Sequence, residues 1–293
     1  MSSDPSSVYE SQRRPQQPYD PEQVVEADYR VIDGEVRRST KKRSRLQTLL
    51  GPVGALLIFI ATKFKFVLAL VKVPALATGF TALISIGAYA LLFPWQFAVG
   101  FVVLIFIHEM GHVLVLKRYG VAATAPIFIP FMGALIGMKQ LPKNALMEAW
   151  VGLGGPIIGT LGALGALGIY AATDSTLFLA LAYIGILLNL FNLLPVLPLD
   201  GGRAVGAISR WVWVVGYAAL AVLVFLRPSP ILFLILLFGA SEVWNVIRGR
   251  GQKEYYVVAP RDRILVASVY FGLAISLAVI MHELQPLMEA NRP

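Results

Sequence analysis

From about Leu49 almost to its end, the chain is apolar with few interruptions. Over its 293 residues, 57% are hydrophobic and only 14% are charged, and the mean hydropathy is +0.70. Soluble domains carry about 25% charged residues, so this chain has too little polar surface to cover a water-soluble fold. We therefore predict an all-α polytopic membrane protein.

Six stretches are long and apolar enough to cross a bilayer as helices, which takes about 20 residues each. The apolar segment 46–73 precedes them but is interrupted by Lys63, Lys65 and Lys72. Lysine in mid-membrane costs about 2.5–3.5 kcal/mol on insertion scales, so we predict an amphipathic helix that lies in the interface. The predicted spans are about 74–94, 96–116, 147–171, 177–199, 211–227 with its partner 230–247, and 264–282.

Residues 1–45 are rich in Ser, Pro, Gln and charge, which predicts a disordered cytoplasmic tail. Cytoplasmic loops carry an excess of Lys and Arg, and most of the later basic residues fall in connections that a cytoplasmic N-terminus places inside. The outer connections hold Arg227 and Arg292. We therefore interpret the net charge of +8 as topology and expect no nucleic-acid partner. A core at 74–210 and C-terminal transmembrane helices at 211–293 complete the predicted organisation.

Two of the three histidines, His108 and His112, lie four residues apart in the second span. Residues four apart share a helix face, so both imidazoles can bind one metal ion while Glu109 projects beside it. The chain has no cysteine, which leaves His, Asp and Glu as metal ligands. The pattern HExxH thus predicts two zinc ligands and a general base for peptide-bond hydrolysis. A chance occurrence is disfavoured because these side chains are costly in an apolar span when unpaired.

A zinc site that keeps one position for water needs a third protein ligand. Asp200, at the end of the fourth span, is the only acid between Asp174 and Glu242. The second and fourth spans run in the same direction in the predicted topology, which puts Asp200 level with the two histidines. Pro195 and Gly201 favour an unwound backbone where the carboxylate turns inward. We predict one Zn²⁺ per chain at this site.

Asn189 and Asn192 precede the Asp200 segment and can share a helix face. Either amide could donate to a substrate carbonyl or an oxyanion, or could bond across helices. We assign the substrate or oxyanion role to Asn192. The third histidine, His282, ends the last span on the outer side and is interpreted as an interfacial residue.

The HExxH motif, together with the pattern NxxPxxxxDG from Asn192 to Gly201, resembles the site-2 protease family of intramembrane zinc metalloproteases, peptidase family M50. The resemblance covers roughly residues 76–210. It implies cleavage of transmembrane protein or peptide substrates within or near their spans, by an integral protein of a bacterial cell membrane. It also implies three zinc ligands and a catalytic base, which are His108, His112 and Asp200, and Glu109.

One departure from the family lies between the two motifs. Several bacterial members carry a GPxxN pattern there, whereas here Gly155 and Pro156 are followed by Gly159 at the Asn position. The contribution of that Asn is missing or supplied elsewhere. The third span instead carries glycines at helical spacing, which predict close packing of spans two and four around the metal. A flexible substrate path is the alternative. The glycines are Gly152, Gly155, Gly159, Gly162, Gly165 and Gly168.

The segment between spans two and three is too apolar for an aqueous loop and too broken by proline and glycine for a helix. We predict a membrane-embedded hairpin beside the site, since irregular backbone at that depth needs protein or a water cavity around it. An exposed strand edge in residues 125–138 could pair with an unwound substrate. A structural plug is the alternative.

Two other functions share some of these features. A zinc or other divalent-cation transporter also places His and Asp in its spans, although it needs several exchangeable sites or a polar path. A non-catalytic membrane scaffold could keep such a site for binding alone. The complete ligand set with Glu109 as a spare base favours an intramembrane zinc metalloendopeptidase that acts near the cytoplasmic face.

Overall fold

The computed structural model describes residues 29–32, 35–38, 74–249 and 253–291. The chain divides into two units, residues 1–64 and 65–293. In the first unit, strand β1 (Tyr29–Ile32) pairs antiparallel with strand β2 (Glu35–Arg38).

The β1–β2 hairpin lies within the segment 1–45 that was predicted to be a disordered tail, of which the structure describes residues 29–32 and 35–38. Its strands are separated by Asp33 and Gly34, a residue pair that favours two-residue hairpin connections, and they contain the β-branched Val31 and Val36. Overall polarity dominated the prediction and concealed this local signal. The predicted interfacial helix at 46–73 lies outside the residues that the structure describes.

The second unit consists mainly of helices. They are α1 (Pro74–Ala90), α2 (Trp95–Arg118), α3 (Ala145–Thr173), α4 (Thr176–Asn192), α5 (Asp200–Ile208), α6 (Trp211–Leu226), α7 (Pro230–Ile247) and α8 (Pro260–Ala290), with a short 3-10 helix at Lys253–Tyr256.

Within the described residues, α2, α3, α7 and α8 are long and apolar enough to cross a membrane by length and composition. The apolar helices α1, α4 and α6 have 17, 17 and 16 residues. The helical membrane fold is confirmed, whereas the prediction of six full spans is not. The segment predicted as 177–199 ends its helix at Asn192, because the chain unwinds before Pro195 and Pro198.

Helix α3 is at the centre of the unit and packs against α2, α4 and α5. It approaches α2 so closely that a Cβ at Gly111 would lie 2.0 Å from the carbonyl oxygen of Gly154. The predicted close packing along α3 is confirmed from Gly152 to Gly162, where added Cβ atoms would meet α2, α4 or α5. It does not extend to Gly165 and Gly168, which have no such neighbour within 4 Å.

The predicted hairpin between spans two and three is confirmed as an antiparallel pair, β3 (Ile127–Ile129) and β4 (Gly133–Leu135). Hydroxyl groups of α1 bind its backbone: Thr78 donates to the carbonyl of Pro126 at 2.7 Å, and Phe128 N–H donates to Thr81 at 3.2 Å. Helix α1 therefore covers the outer edge of β3. The Phe128 ring stacks on Phe106 of α2, which seats the hairpin beside the helix of the HExxH motif.

Candidate metal centre

Helix α2 places both histidines of the HExxH motif on one buried face. His108 is 4% exposed and His112 is 9% exposed, and their Nε2 atoms lie 3.2 Å apart. This proximity follows from the four-residue spacing on a helix. Glu109 is also buried and lies close enough to both histidines to interact with them electrostatically.

Asp200 is the first residue of α5 and reaches the two histidines from the other side. Its Oδ2 lies 3.1 Å from Nε2 of His108 and 3.3 Å from Nε2 of His112. A tetrahedral ion with bonds of about 2.0–2.2 Å holds its donor atoms about 3.3–3.6 Å apart. The observed separations of 3.1–3.3 Å are at or slightly below this range, so small outward shifts of the two nitrogens and the carboxylate oxygen would accommodate Zn²⁺. The three residues form a group that could hold a metal within the described part of the chain.

The second ring nitrogen of each histidine fixes which tautomer is present. Nδ1 of His112 lies 2.7 Å from the carbonyl oxygen of Val151, and a carbonyl oxygen can only accept, so Nδ1 carries the proton. Nδ1 of His108 lies 2.8 Å from Oδ1 of Asn189. Both Nε2 atoms therefore face Asp200, and each imidazole can use its Nε2 as a metal ligand once that nitrogen carries no proton.

Asp200 is positioned by an irregular segment, residues 193–199, that is tied to the C-terminal helices. The phenol of Tyr270 on α8 donates to the carbonyl of Leu193 at 2.6 Å, and the phenol of Tyr217 on α6 donates to the carbonyl of Leu197. These bonds satisfy carbonyl groups that the broken helix leaves without partners. Helices α6 and α8 thus support the ligand segment, a role that the sequence did not reveal.

A wall of α3 closes the centre on the histidine side. A Cβ at Gly155 would lie 2.3 Å from Nε2 of His112 and 2.7 Å from Nε2 of His108. A Cβ at Gly152 would lie 2.8 Å from the backbone oxygen of Asp200. The glycines therefore determine how closely the three ligands can approach one another.

The structure brings together His108, His112 and Asp200, with Glu109 beside them. Asn192 is not joined to this group: its amide nitrogen donates to the carbonyl of Leu188 in the same helix at 3.0 Å. The substrate or oxyanion role of Asn192 stays a prediction. His282 is exposed near the end of α8.

The roles of two residues at the centre, Asn189 and Gly155, were not predicted from the sequence. Asn189 bonds across helices, one of the two possibilities considered for it, but its partner is a metal-ligand histidine. Gly155 was interpreted only as a packing residue, whereas it contacts the ligand rings. An amide in the last turn of an apolar helix was the one available signal for Asn189.

The described helices bring together three side chains that could hold one metal ion, and comparisons with known proteins relate the same region to a peptidase family. Residues 96–175 and 169–223 match peptidase family M50. The resemblance to the site-2 protease family is thereby confirmed for residues 96–223. The matched region contains the HExxH motif and Asp200 and extends beyond the core end predicted at residue 210.

Two curated relatives each align with part of the chain. A zinc metalloprotease of Methanocaldococcus jannaschii is 31% identical over 107 residues, which are 35% of this chain and 31% of the relative. Rip3 of Mycobacterium tuberculosis, also named as a zinc metalloprotease, is 33% identical over 134 residues, which are 42% of this chain and 34% of the relative. The aligned part spans about a third of the length of each relative. These names and the donor set agree on zinc as the metal.

Proposed function

We propose that the chain is an intramembrane zinc metalloendopeptidase that cleaves membrane-spanning substrates near the cytoplasmic face. The observation that carries the proposal is the triangle of three buried donor atoms, 3.1–3.3 Å apart, with a further buried acid, Glu109, beside it. A transporter would need ligands that exchange along a path. Here the hydrogen bonds to Asn189 and Val151 hold the two histidine rings in one orientation.

Each residue of the centre has one task in hydrolysis. His108, His112 and Asp200 would hold Zn²⁺, which when bound polarises the scissile carbonyl and acidifies water. Glu109 accepts a proton as the water oxygen bonds to the carbonyl carbon. It returns that proton to the amide nitrogen as the C–N bond breaks, so one water is consumed for each peptide bond.

The cytoplasmic position of the centre is inferred from charge. Helix α2 carries its histidines toward the end that finishes with Lys117 and Arg118, and Arg203 follows Asp200 in α5. Basic residues flank membrane helices mainly on the cytoplasmic side. A centre near these ends would receive its water from the cytoplasm.

The β3–β4 hairpin offers a way to hold an unwound substrate. Phe128 N–H points toward Thr81 of α1 and therefore away from β4. Phe128 is paired with Ala134 of β4. In an antiparallel pair, two residues opposite each other either both direct their N–H and C=O groups toward the partner strand or both direct them away from it. The N–H and C=O of Ala134 therefore point away from β3, at the outer edge of β4. We propose that an extended substrate pairs with β4 at Ala134, because α1 covers the edge of β3.

Ala134→Pro should weaken substrate binding, because proline removes the outward N–H from the β4 edge. Loss of one hydrogen bond of about 0.5–1.5 kcal/mol predicts a KM for a single-span reporter about 2- to 12-fold higher, with unchanged zinc content. Ala134→Ser keeps the amide and serves as the control. An unaltered KM in the proline variant would remove β4 from the substrate site.

Reconstitution of the purified chain in vesicles with a single-span reporter tests the proposed function. Wild type should contain about one zinc per chain and cut the reporter, and Asp200→Asn should lose both the metal and the cleavage. The control is Asp174→Asn, since Asp174 is exposed at the end of α3 in a left-handed conformation that Asn also tolerates. Zinc uptake into vesicles without cleavage would instead identify a transporter, and bound zinc with neither activity would identify a scaffold.

A further inference from the structure

The side chain of Asn189 contacts the metal centre through a hydrogen bond with His108. Its side chain is 1% exposed, and its Oδ1 lies 2.8 Å from Nδ1 of His108. Its amide nitrogen donates to the carbonyl of Gly185 at 2.7 Å. If the amide were flipped, its oxygen would face that carbonyl, so only one orientation satisfies both contacts. Asn189 therefore accepts from His108 and holds the proton on Nδ1.

The space for this amide exists because residue 159 is glycine. A Cβ at Gly159 would lie 2.2 Å from Oδ1 of Asn189 and 2.9 Å from its amide nitrogen. Real Cβ atoms do not approach another atom so closely. The Asn189 amide is buried and held by two hydrogen bonds, so it cannot move away without losing them. An amide from α4 and a side chain on α3 at this level thus exclude each other.

We propose that Asn189 is the positioning residue that orients His108 for zinc, and that Gly159 is its required complement. The amide that reaches the histidine comes from α4 in this chain and replaces an amide that position 159 of α3 could otherwise provide. This explains the glycine in the GPxxN-like segment that begins at Gly155. The proposal rests on the proposed zinc site but not on turnover. Partners of metal-binding histidines set ring orientation and ligand basicity, and their loss lowers metal affinity about 10- to 100-fold.

Asn189→Leu tests the proposal because leucine has a similar shape and no hydrogen-bonding groups. The zinc dissociation constant of the purified full-length chain, measured by competition with a chromophoric chelator, should rise about 10- to 100-fold. The melting temperature without metal should stay close to that of wild type. Asn189→Ala provides a second variant if leucine prevents folding.

Thr160→Val is the matched control. Thr160 is buried on the same turn of α3 and donates to the carbonyl of Pro156 at 2.6 Å, away from the histidines. This variant also loses a buried hydrogen bond and should bind zinc as wild type does. Equal zinc affinity in Asn189→Leu and wild type would overturn the proposal, as would a loss of affinity no larger than that of Thr160→Val. A wild-type chain that binds no zinc would refute the proposed function instead.

An exchange of the two positions tests the role of Gly159. Gly159→Asn alone should weaken zinc binding, since its Cβ displaces the amide of Asn189. Gly159→Asn combined with Asn189→Ala should recover most of the affinity, because a side chain from residue 159 begins where the Asn189 oxygen now meets His108. The visible spectrum of the Co²⁺-loaded double variant should likewise return toward that of wild type. A double variant as weak as Asn189→Ala would refute the exchange.

Discussion

Glu109→Gln should lower reporter cleavage by about 10²- to 10⁴-fold while the protein keeps about one zinc per chain. Glutamine preserves the size of the side chain and removes the carboxylate that accepts the water proton. Because Glu109 is not one of the three residues whose donor atoms form the metal group, the metal should remain. Initial cleavage rates and zinc analysis on the same preparation measure the two quantities together.

The separation of these two effects is the informative result. If Glu109→Gln lost zinc along with activity, Glu109 would be a ligand or a structural residue rather than the base. If it cut the reporter at the wild-type rate, another group would take the proton. Glu242→Gln, on α7 outside the metal group, is a control for removing an acid from an apolar helix.

Gly155→Ala should nearly abolish zinc binding, although it adds only one methyl group. Its Cβ would lie 2.3 Å from Nε2 of His112 and 2.7 Å from Nε2 of His108, so both ligand rings must move. The backbones cannot separate easily, because α2 and α3 already meet at Gly111 and Gly154. Loss of one group that orients a ligand lowers metal affinity about 10- to 100-fold, and we expect displacement of both ligand rings to raise the zinc dissociation constant at least as much.

Gly165→Ala on the same helix is the matched control. An added Cβ at Gly165 has no neighbour within 4 Å, and alanine is a better helix former than glycine by about 1 kcal/mol. This variant should therefore bind zinc as wild type does and melt at the same or a higher temperature. Wild-type zinc affinity in Gly155→Ala would show that the histidine rings do not need the close wall of α3.

Much of the architecture was predictable because it depends on local composition and spacing. Long apolar stretches imply membrane helices, and the four-residue interval from His108 to His112 puts two imidazoles on one helix face. The broken, apolar segment after the second span predicted the hairpin. The depth of Asp200 followed from the direction of its span.

Other features were hidden because they depend on which helices touch. The sequence offered no reason to prefer Asn189 over Asn192 as the residue that contacts the metal centre, since both lie on apolar helix α4. Only the packing of α4 against α2 and α3 assigns Asn189 to His108 and leaves Asn192 bonded within its own helix. The β1–β2 hairpin was missed for a different reason, because regional polarity outweighed its short strand signal.

The sequence alone predicted the chemistry of the centre: two histidines one turn apart with an acid between them, and an aspartate as third ligand on a later span at matching depth. The tertiary structure decided how that chemistry is held. A glycine has no side chain, so its role depends on the residues that pack against it. Gly155 faces the two histidines of the centre, and Gly159 faces Asn189. Hydrogen bonds between residues 81 positions apart, as between His108 and Asn189, are likewise set by helix packing rather than by spacing along the chain.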